Sequence, residues 1–331
     1  MPRQSNTIPS LVLNRRQVLA ASAYLLGFSL IAPKLSWATV HTSALTEQAI
    51  KQLNQPVPGG VAVVLLGEFA SAPQVDFEGA EVLVLAHKKQ WYALVGIPLD
   101  AKPGAHQIAI LKKINPQANQ NKQTNLNNQG IETVLENIRA DAAQPIQSWS
   151  FNVRDKTYPA QHITLKNKRQ VNPNPADLAR IQKELVLQND AYATYTKSTP
   201  SNILFAPPVK GRLSSPFGLK RYFNGEARNP HSGLDFAAPT GTPVQSPAAG
   251  RIILIGDYFF NGKTIFIDHG MGLISMFCHL SSINKQVGDT VKQFDVMAKV
   301  GATGRATGPH LHWNVSLNNA RVDPALFLTT R

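Results

Sequence analysis

The stretch His310-Leu311-His312-Trp313 decides how the rest of this sequence is interpreted. If it forms a β-strand, successive side chains point to opposite faces of the sheet. His310 and His312 then share one face, while Leu311 and Trp313 point into a core. Two imidazole rings therefore line one wall of a predicted site.

Three more side chains that can bind metal or transfer protons precede this stretch. They are His231 and Asp235, which are four positions apart, and His279 in Phe277-Cys278-His279-Leu280. Zinc is bound by imidazole and carboxylate groups, and a catalytic site uses three protein ligands and a water molecule. His231, Asp235 and one histidine of the 310/312 pair supply that number. Two histidines remain for hydrolysis, which needs groups that accept a proton and stabilise charge on the attacked carbonyl oxygen.

The segment 209–331 predicts an all-β domain. Residues 251–260 and 263–269 flank Asn261-Gly262, a strong short signal for a β-hairpin. Further strands are predicted at 273–279, 296–300 and 310–317. The glycine-rich segment 301–308 ends in no Lys-Ser/Thr pair and leads into no helix, so it does not predict a phosphate-binding loop. We expect it to bring the backbone close to the metal site.

Cys278 is the single cysteine of the chain, so no intrachain disulfide can form. Its position beside His279 also suggests a nucleophile or a zinc ligand. On an alternating strand, however, its side chain points away from His279, to the face of Ile274 and Met276. The pattern therefore predicts a buried structural thiol.

Residues 1–38 have the pattern of an export signal. A positively charged start is followed by the apolar run 18–32 and by Ser36-Trp37-Ala38, whose small first and third residues suit signal-peptidase cleavage. The run is shorter than the roughly 20 residues that a membrane span needs. Asn14-Arg15-Arg16-Gln17 resembles a twin-arginine signal. An ordinary secretory signal is the close alternative, and an uncleaved anchor is a less favoured one.

Residues 39–172 predict a β-sandwich-like N-terminal domain. Short apolar runs at 61–66, 82–86, 91–97 and 106–110 are separated by turn residues, as in small antiparallel sandwiches. Residues 115–129 are dominated by Asn and Gln and predict a mobile loop. Three histidines of this region, His87, His106 and His162, are isolated in sequence, which argues against ligand roles.

Residues 173–208 predict a long helix and a linker. Asn174-Pro175-Ala176-Asp177 supplies a capping side chain, a proline at the first helical position and an acid in the first turn. Helical spacing places five apolar or aromatic residues on one face, namely Leu178, Ile181, Leu185, Tyr192 and Tyr195. The helix should have roughly 20 residues. Residues 197–208 then form the expected boundary before the C-terminal domain.

The composition is that of an ordinary globular protein, with 43% hydrophobic and 16% charged residues. A chain of 331 residues is long enough for two or three domains. The formal charge is +13, from 33 Lys and Arg against 20 Asp and Glu. A basic balance favours anionic partners such as nucleic acid, anionic lipid or acidic wall polymers, or serves solubility alone. Charge does not choose between these.

Residues 209–331 resemble the catalytic domain of the lysostaphin-type (LytM-domain) zinc metallopeptidases, which cut peptide bonds in bacterial peptidoglycan. The motifs that carry the resemblance are His231-x-x-x-Asp235, His279-Leu280 and His310-Leu311-His312, with their surrounding glycines. The resemblance implies that His231, Asp235 and His312 hold one zinc ion. It also implies that His279 and His310 act as general base and transition-state stabilisers.

Two positions of the sequence are compared separately with the family pattern. Phe277 stands where the family often has tyrosine, which removes a hydroxyl group but should keep the packing. Some relatives use an upstream tyrosine to stabilise the oxyanion, and Tyr222 is the nearest candidate here. The sandwich and the long helix also resemble the multidomain periplasmic members of Gram-negative bacteria.

The resemblance implies a mainly β, periplasmic or cell-envelope zinc endopeptidase that hydrolyses peptide cross-links of peptidoglycan. The expected bond joins D-alanine to a diaminopimelate side chain, as in Gram-negative relatives. The alternative is a non-enzymatic LytM factor that binds the cell wall and activates an amidase, although such factors usually lack metal ligands. A peptidase acting on proteins is a weaker third interpretation. We expect no nucleic-acid partner and no membrane span after signal cleavage.

The region before residue 209 has no chemistry of its own in this interpretation. We expect it to cover the catalytic groove, to anchor the enzyme on the wall, or to dock a regulatory protein. A fragment of residues 205–331 should then cleave soluble muropeptides faster and bind sacculi more weakly than residues 39–331.

Overall fold

The computed structural model describes residues 44–111, 145–165 and 168–329. The predicted export signal at 1–38 and the whole Asn/Gln-rich segment, 115–129, lie outside these ranges. Within them, no helix is both long and apolar enough to cross a membrane.

The front half of the chain forms two small antiparallel sheets after a short helix. Helix α1 spans Glu47–Leu53, and Thr46 caps it by accepting a hydrogen bond from the Ala49 amide at 3.1 Å. The strands that follow are β1 (Val61–Gly67), β2 (Asp76–Phe77), β3 (Ala80–Glu81), β4 (Leu83–His87), β5 (Gln90–Gly96), β6 (Gly104–Leu111), β7 (Pro145–Val153) and β8 (Ala160–Ile163). One sheet has the order β1-β5-β4, and the other has the order β3-β2-β6-β7.

These two sheets pack face to face, as the sandwich prediction requires. Val64, Val84 and Val95 from the first sheet and Phe77 and Ile108 from the second belong to one buried cluster. The first sheet is also covered on its other face, where Leu94 joins the core of the C-terminal region. The apolar runs are therefore nearly continuous, because alternate side chains of one strand enter two different cores.

Helix α2 spans Pro175–Tyr192 and begins as predicted. Asn174 caps it by accepting a hydrogen bond from the Asp177 amide at 2.8 Å, and Pro175 occupies the first turn. The predicted buried face is only partly right. Ile181 and Tyr192 are buried, whereas Leu178 and Leu185 are 48% and 49% exposed. The helix lies on the C-terminal region, where the Glu184 carboxylate accepts from the Phe259 amide and Asn261 donates to Gln188.

The C-terminal region is all-β, as predicted. Its strands are β9 (Arg212–Ser215), β10 (Lys220–Phe223), β11 (Glu226–Ala227), β12 (Leu234–Ala237), β13 (Pro243–Gln245), β14 (Gly250–Tyr258), β15 (Gly262–Asp268), β16 (Ile274–Ile283), β17 (Thr290–Val291), β18 (Val296–Val300), β19 (His310–Leu317) and β20 (Ala320–Val322). Short 3-10 helices lie at Lys168–Gln170 and Pro324–Phe327. The mainly β fold class is confirmed.

Ten of these strands form one antiparallel sheet with the path β17-β14-β15-β16-β19-β12-β9. Strand β18 bridges β13 and β16, and β20 pairs with β19. The β14–β15 hairpin turns at Asn261-Gly262, where Gly262 has φ +61°. Strand β19 lies between β12 and β16, so its two histidines are held from both sides.

Strand β8 does not pair with the sandwich strands but in parallel with β10 of the C-terminal region. The predicted sandwich domain, 39–172, therefore includes a strand that pairs outside the sandwich. Helix α1 also crosses the predicted boundary. Its Leu53 shares one hydrophobic core with Phe205, Trp313 and Phe327. The Gln52 amide donates to the carbonyl oxygens of Leu326 and Leu328, both at 2.8 Å.

A buried amide contact also joins the two halves. The Gly96 amide donates to Oδ1 of Asn318 at 2.6 Å, and Nδ2 of Asn318 donates back to the Gly96 carbonyl at 3.0 Å. Asn318 has φ +39° in the turn after β19, a backbone conformation that asparagine tolerates better than most residues. The end of β5 is thereby fixed to the turn between β19 and β20.

Candidate functional site

The structure brings His231, Asp235 and His312 together. Asp235 on β12 and His312 on β19 are direct partners in the antiparallel register, and His231 lies in the loop before β12. Asp235 Oδ1 is 2.7 Å from Nδ1 of His312 and 3.0 Å from Nε2 of His231. Those two nitrogen atoms are 3.0 Å apart. Three side chains from two distant parts of the sequence thus point one atom each at a common position.

The hydrogen bonds behind the cluster fix which nitrogen of each imidazole faces it. Nδ1 of His231 is 2.7 Å from the Pro216 carbonyl oxygen, which only accepts, so Nδ1 carries the hydrogen. Nε2 of His312 is 2.7 Å from Oδ1 of Asn314. The Asn314 amide group donates to the Ser232 carbonyl at 2.6 Å, which orients its oxygen towards His312. Both imidazoles therefore direct a lone pair at the Asp235 carboxylate.

This set of donors fits a divalent metal. Two lone pairs and a carboxylate oxygen meet without a proton between them, an arrangement that a cation stabilises. Two imidazoles and one carboxylate also give the number of protein ligands in catalytic zinc sites. In the part of the chain that the structure describes, the cluster includes no fourth His, Cys, Asp or Glu. Its three members fit an open site better than a closed structural one.

Burial shapes the protonation of these groups. The three side chains are 2% to 9% exposed. Burial lowers the pKa of His231 to about 4, which keeps its imidazole neutral at neutral pH. Burial by itself raises the pKa of Asp235, but the contacts with His231 and His312 outweigh it and hold that pKa well below its usual range. Neutral imidazoles and an ionised carboxylate are the forms that bind metal.

Two further features hold the cluster in place. Nη2 of Arg221 lies 3.3 Å from Oδ2 of Asp235, the oxygen that does not face the histidines. Gly233 lies against the His312 ring, because a Cβ atom there would be 2.6 Å from Nε2 and Cε1 of His312. Any larger residue at 233 would therefore displace the imidazole.

His279 and His310 lie beside the cluster. Their ring centroids are 4.7 Å apart, and His279 is 6.0 Å from His312. Nδ1 of His279 donates to the Thr303 carbonyl at 2.8 Å, and Nδ1 of His310 donates to the Gly308 carbonyl at 2.8 Å. Nε2 of each ring is therefore left to accept a proton. Burial lowers the pKa of His279 to about 3.

A bulge in β16 turns His279 towards the site. His279 has φ +61°, and the register between β15 and β16 shifts at this point. The β16–β19 ladder ends one residue earlier, at Cys278 and His312, and His310 is bridged to Gly301 instead. A residue in the left-handed region is strained, and such strain is concentrated at functional sites.

These side chains open into a cavity of about 280 Å³, lined by Asp235, His279, His310 and His312 among others. His231 lies behind them and is buried. Arg221 of β10 and Gln161 of β8 form part of the wall, as does Arg305 of the glycine-rich segment. The segment 301–308 thus lies next to the site, as expected, and holds His279 through Thr303.

The other predicted residues fall as follows. Cys278 is buried with Ile274 and Met276 on the face opposite His279, and burial raises the pKa of its thiol, so the prediction of a structural thiol is confirmed. Phe277 is buried and stacks with Trp313. Tyr222 stacks on His162 with a centroid distance of 4.7 Å, while its neighbours Arg221 and Phe223 line the cavity.

The sequence interpretation missed Arg221, Arg305 and Asn314. A signal existed for Asn314, because it follows His312 by two residues and so shares its face of the strand. Arg221 could not be found in this way, since its place depends on how β10 pairs with β8.

Comparison with known proteins shows which family the chain resembles. The model of peptidase family M23 matches residues 229–324, and that of the peptidase family M23 N-terminal domain matches residues 54–122. A crystal structure described as a peptidase M23 from Pseudomonas aeruginosa is 45% identical, with a TM-score of 0.65. The similarity covers 85% of this chain and 98% of that one.

Two curated relatives match in the C-terminal region. The DD-carboxypeptidase/endopeptidase Mpg of Neisseria meningitidis is 39% identical over 118 residues, which are 36% of this chain and 27% of Mpg. The peptidoglycan DD-endopeptidase ShyB of Vibrio cholerae is 40% identical over 113 residues, 34% of this chain and 26% of ShyB. The matched part is thus about a quarter of these relatives' length. Together with the near-complete match to the Pseudomonas structure, the motifs and the fold show that this chain belongs to peptidase family M23.

Proposed function

We propose that the chain is a zinc-dependent endopeptidase that hydrolyses peptide cross-links of bacterial peptidoglycan. The observation that carries the proposal is the cluster of His231, Asp235 and His312, which opens beside two further histidines into a cavity. The names of Mpg and ShyB support peptidoglycan as the substrate and a DD bond as the bond cleaved.

The proposed roles follow from the hydrogen bonds. His231, Asp235 and His312 would hold one zinc ion, with Nε2, Oδ1 and Nδ1 as the atoms that meet in the cluster. When bound, zinc supplies Lewis-acid activation of a water molecule and of the scissile carbonyl group. His279 and His310 each keep Nε2 available, so one ring takes the proton that the attack releases. The other ring donates to the oxygen on which charge develops.

The metal assignment is tested by zinc content. We expect His231→Ala, Asp235→Ala and His312→Ala to purify without zinc, whereas His310→Ala keeps one zinc per chain. His310 is the matched control, because it belongs to the same strand and faces the same cavity. Full zinc occupancy in His312→Ala, with loss in His310→Ala, would reverse the assignment within the pair.

The catalytic assignment is tested on cross-linked muropeptides. We expect His279→Ala and His310→Ala to keep zinc and the fold while losing activity by roughly 100-fold or more, the usual contribution of a positioned acid or base. Mass spectrometry of digested peptidoglycan would identify the bond. Near-normal release of muropeptides by both variants would favour the alternative, a wall-binding factor that activates an amidase.

The cellular setting belongs to the same proposal. An enzyme of this class acts in the periplasm or cell envelope, and residues 1–38 have the sequence pattern for export. Fusion of these residues to a reporter enzyme that works only after export would test this. A reporter retained in the cytoplasm would contradict it.

A further inference from the structure

The cavity beside the histidines has an excess of positive charge. Arg221 and Arg305 line it, and Asp235 is the acid among its described lining residues. Asp235 is already engaged, through Oδ1 with both ligand histidines and through Oδ2 with Arg221. The positive charge of Arg305 is therefore not balanced by an acid of the cavity.

The guanidinium of Arg305 is held by two aromatic rings. It lies 4.7 Å from the ring centroid of Phe223 and 4.2 Å from that of Phe260. Its backbone amide donates to the Phe260 carbonyl at 2.7 Å, which fixes the loop. Stacking orients the plane of a guanidinium but leaves its N–H edges available for a bidentate anion. Across the described ranges, no hydrogen bond or ion pair engages these edges.

The neighbouring cations make an anion more favourable at this position. Burial, together with the positive charges of Arg221 and Arg228, lowers the pKa of Arg305 to about 10, and the side chain stays charged at neutral pH. Arg228 is paired with Glu226. Arg221 has a buried Nε–H donor without a partner in the described structure, and Gln161 lies opposite it on the neighbouring strand β8. The wall that contains Arg305 thus offers a second hydrogen-bond donor to an anion.

Arg305 lies in the loop that also holds His279, which places it on the side where the leaving amine of the substrate would bind. Arg305 follows two residues after Thr303, whose carbonyl oxygen holds His279. The same loop therefore places His279 and one guanidinium that has no hydrogen-bond or ion-pair partner among the described residues. In a DD bond, the residue that supplies the scissile nitrogen is an amino acid, and its own carboxylate is attached to the carbon that bears this nitrogen.

We propose that Arg305 binds the substrate carboxylate that flanks the scissile nitrogen, with Arg221 and Gln161 completing the wall around it. This inference rests on the proposed endopeptidase function and specifies which bonds are accepted. Bonds whose leaving amine carries a free neighbouring carboxylate are cleaved, and bonds without it are cleaved poorly. A bidentate pair between guanidinium and carboxylate supplies both the affinity and the orientation.

The test uses two cross-linked muropeptide dimers that differ in one group. In one, the carboxylate beside the scissile nitrogen is free, and in the other it is amidated. We expect the zinc-loaded full chain to prefer the free acid by roughly 10-fold or more in kcat/KM, as charged hydrogen bonds allow. Arg305→Gln and Arg305→Lys should reduce this preference, mainly through KM. Arg228→Gln is the matched control and should keep it.

Binding is measured separately from turnover, by calorimetry of the metal-depleted chain with the free-acid dimer. Arg305→Lys keeps the positive charge and changes only the geometry of the donor group. Zinc content and melting temperature show whether the Arg305 variants are folded. Failure of the wild type to cleave either dimer contradicts the proposed function itself. Equal cleavage of both dimers by the wild type leaves that function standing and overturns the inference. Full preference and unchanged binding in both Arg305 variants also overturn it.

Discussion

At the scale of single residues, the hydrogen bonds behind the cluster of His231, Asp235 and His312 matter as much as the three proposed ligands. A histidine offers two nitrogen atoms, and the group bonded to one of them decides which atom faces the metal. Pro216 performs this function for His231, and Asn314 performs it for His312. Asn314 also ties the His312 ring to the loop that contains His231, through the Ser232 carbonyl.

We expect Asn314→Ala to weaken zinc binding by about 10- to 100-fold, the usual effect of removing such a partner. The substitution leaves the Nε2 hydrogen of His312 without an acceptor and frees the ring to turn. Affinity is measured by competition with a chelator. Ser316→Ala is the matched control, because Ser316 shares this face of β19 and its buried hydroxyl has no partner in the described chain. Equal affinity of the two variants would contradict the role of Asn314.

At the scale of elements, helix α2 shows what periodicity can and cannot predict. The start of the helix was predicted from Asn174 and Pro175, because capping depends on local chemistry alone. Its buried face depends on the surface that it meets. Glu184 and Gln188 hydrogen-bond to the β14–β15 turn, so polar residues hold the helix where an apolar stripe was expected. Leu178 and Leu185 consequently face solvent.

The buried face in the structure and the face predicted from the sequence imply different losses of stability when their side chains are truncated. Ile181→Ala should lower the free energy of unfolding by about 2 kcal/mol or more, because it leaves a cavity. Leu178→Ala should change it by no more than about 0.5 kcal/mol, since that side chain is half exposed. Urea unfolding of both variants measures the difference. Equal losses would restore the face that the sequence pattern predicted.

Five of the twelve C-terminal strands, β14, β15, β16, β18 and β19, were predicted from alternation and turn chemistry. Strands β18 and β19 have the predicted bounds, because each runs between clear turn signals. The parallel pairing of β8 with β10 was not predictable. Its four residues, Ala160–Ile163, lack an apolar pattern, and their partner strand lies about 60 residues further along. Helix α1 was missed, although Leu45, Ala49 and Leu53 have helical spacing.

The same reasoning explains the result at the site. Five residues that the structure brings together could be predicted, because metal and proton chemistry restricts the choice of residue type. Arg221 and Arg305 were not found, since arginine is common on surfaces and only the fold shows that these two line a cavity.

At the scale of the whole molecule, the front half and the C-terminal region share one hydrophobic core. Leu45, Leu53 and Leu94 are buried in the same cluster as Phe205 and Trp313. The wall of the cavity is shared too, because Gln161 of β8 belongs to it. The proposed lid or anchor role of the front half therefore concerns a region that also supports the fold around the site.

We expect a fragment of residues 205–331 to melt at a lower temperature than residues 44–331. The fragment lacks α1 and β5, so it exposes apolar surface that these elements cover in the longer protein. Calorimetric melting of both zinc-loaded proteins makes the comparison. If the fragment is equally stable, the C-terminal region folds on its own, and its rate of muropeptide cleavage then reports directly on a lid.

The reciprocal contact between Gly96 and Asn318 offers a way to measure whether the two halves of the chain separate. The Gly96 amide is buried, and its acceptor belongs to the other half of the chain. Its hydrogen can exchange with deuterium only when the halves separate or the chain unfolds. The exchange rate of this one amide therefore reports how often the two halves separate. A substrate that draws the front half away from the cavity would speed it, even where turnover is too slow to detect.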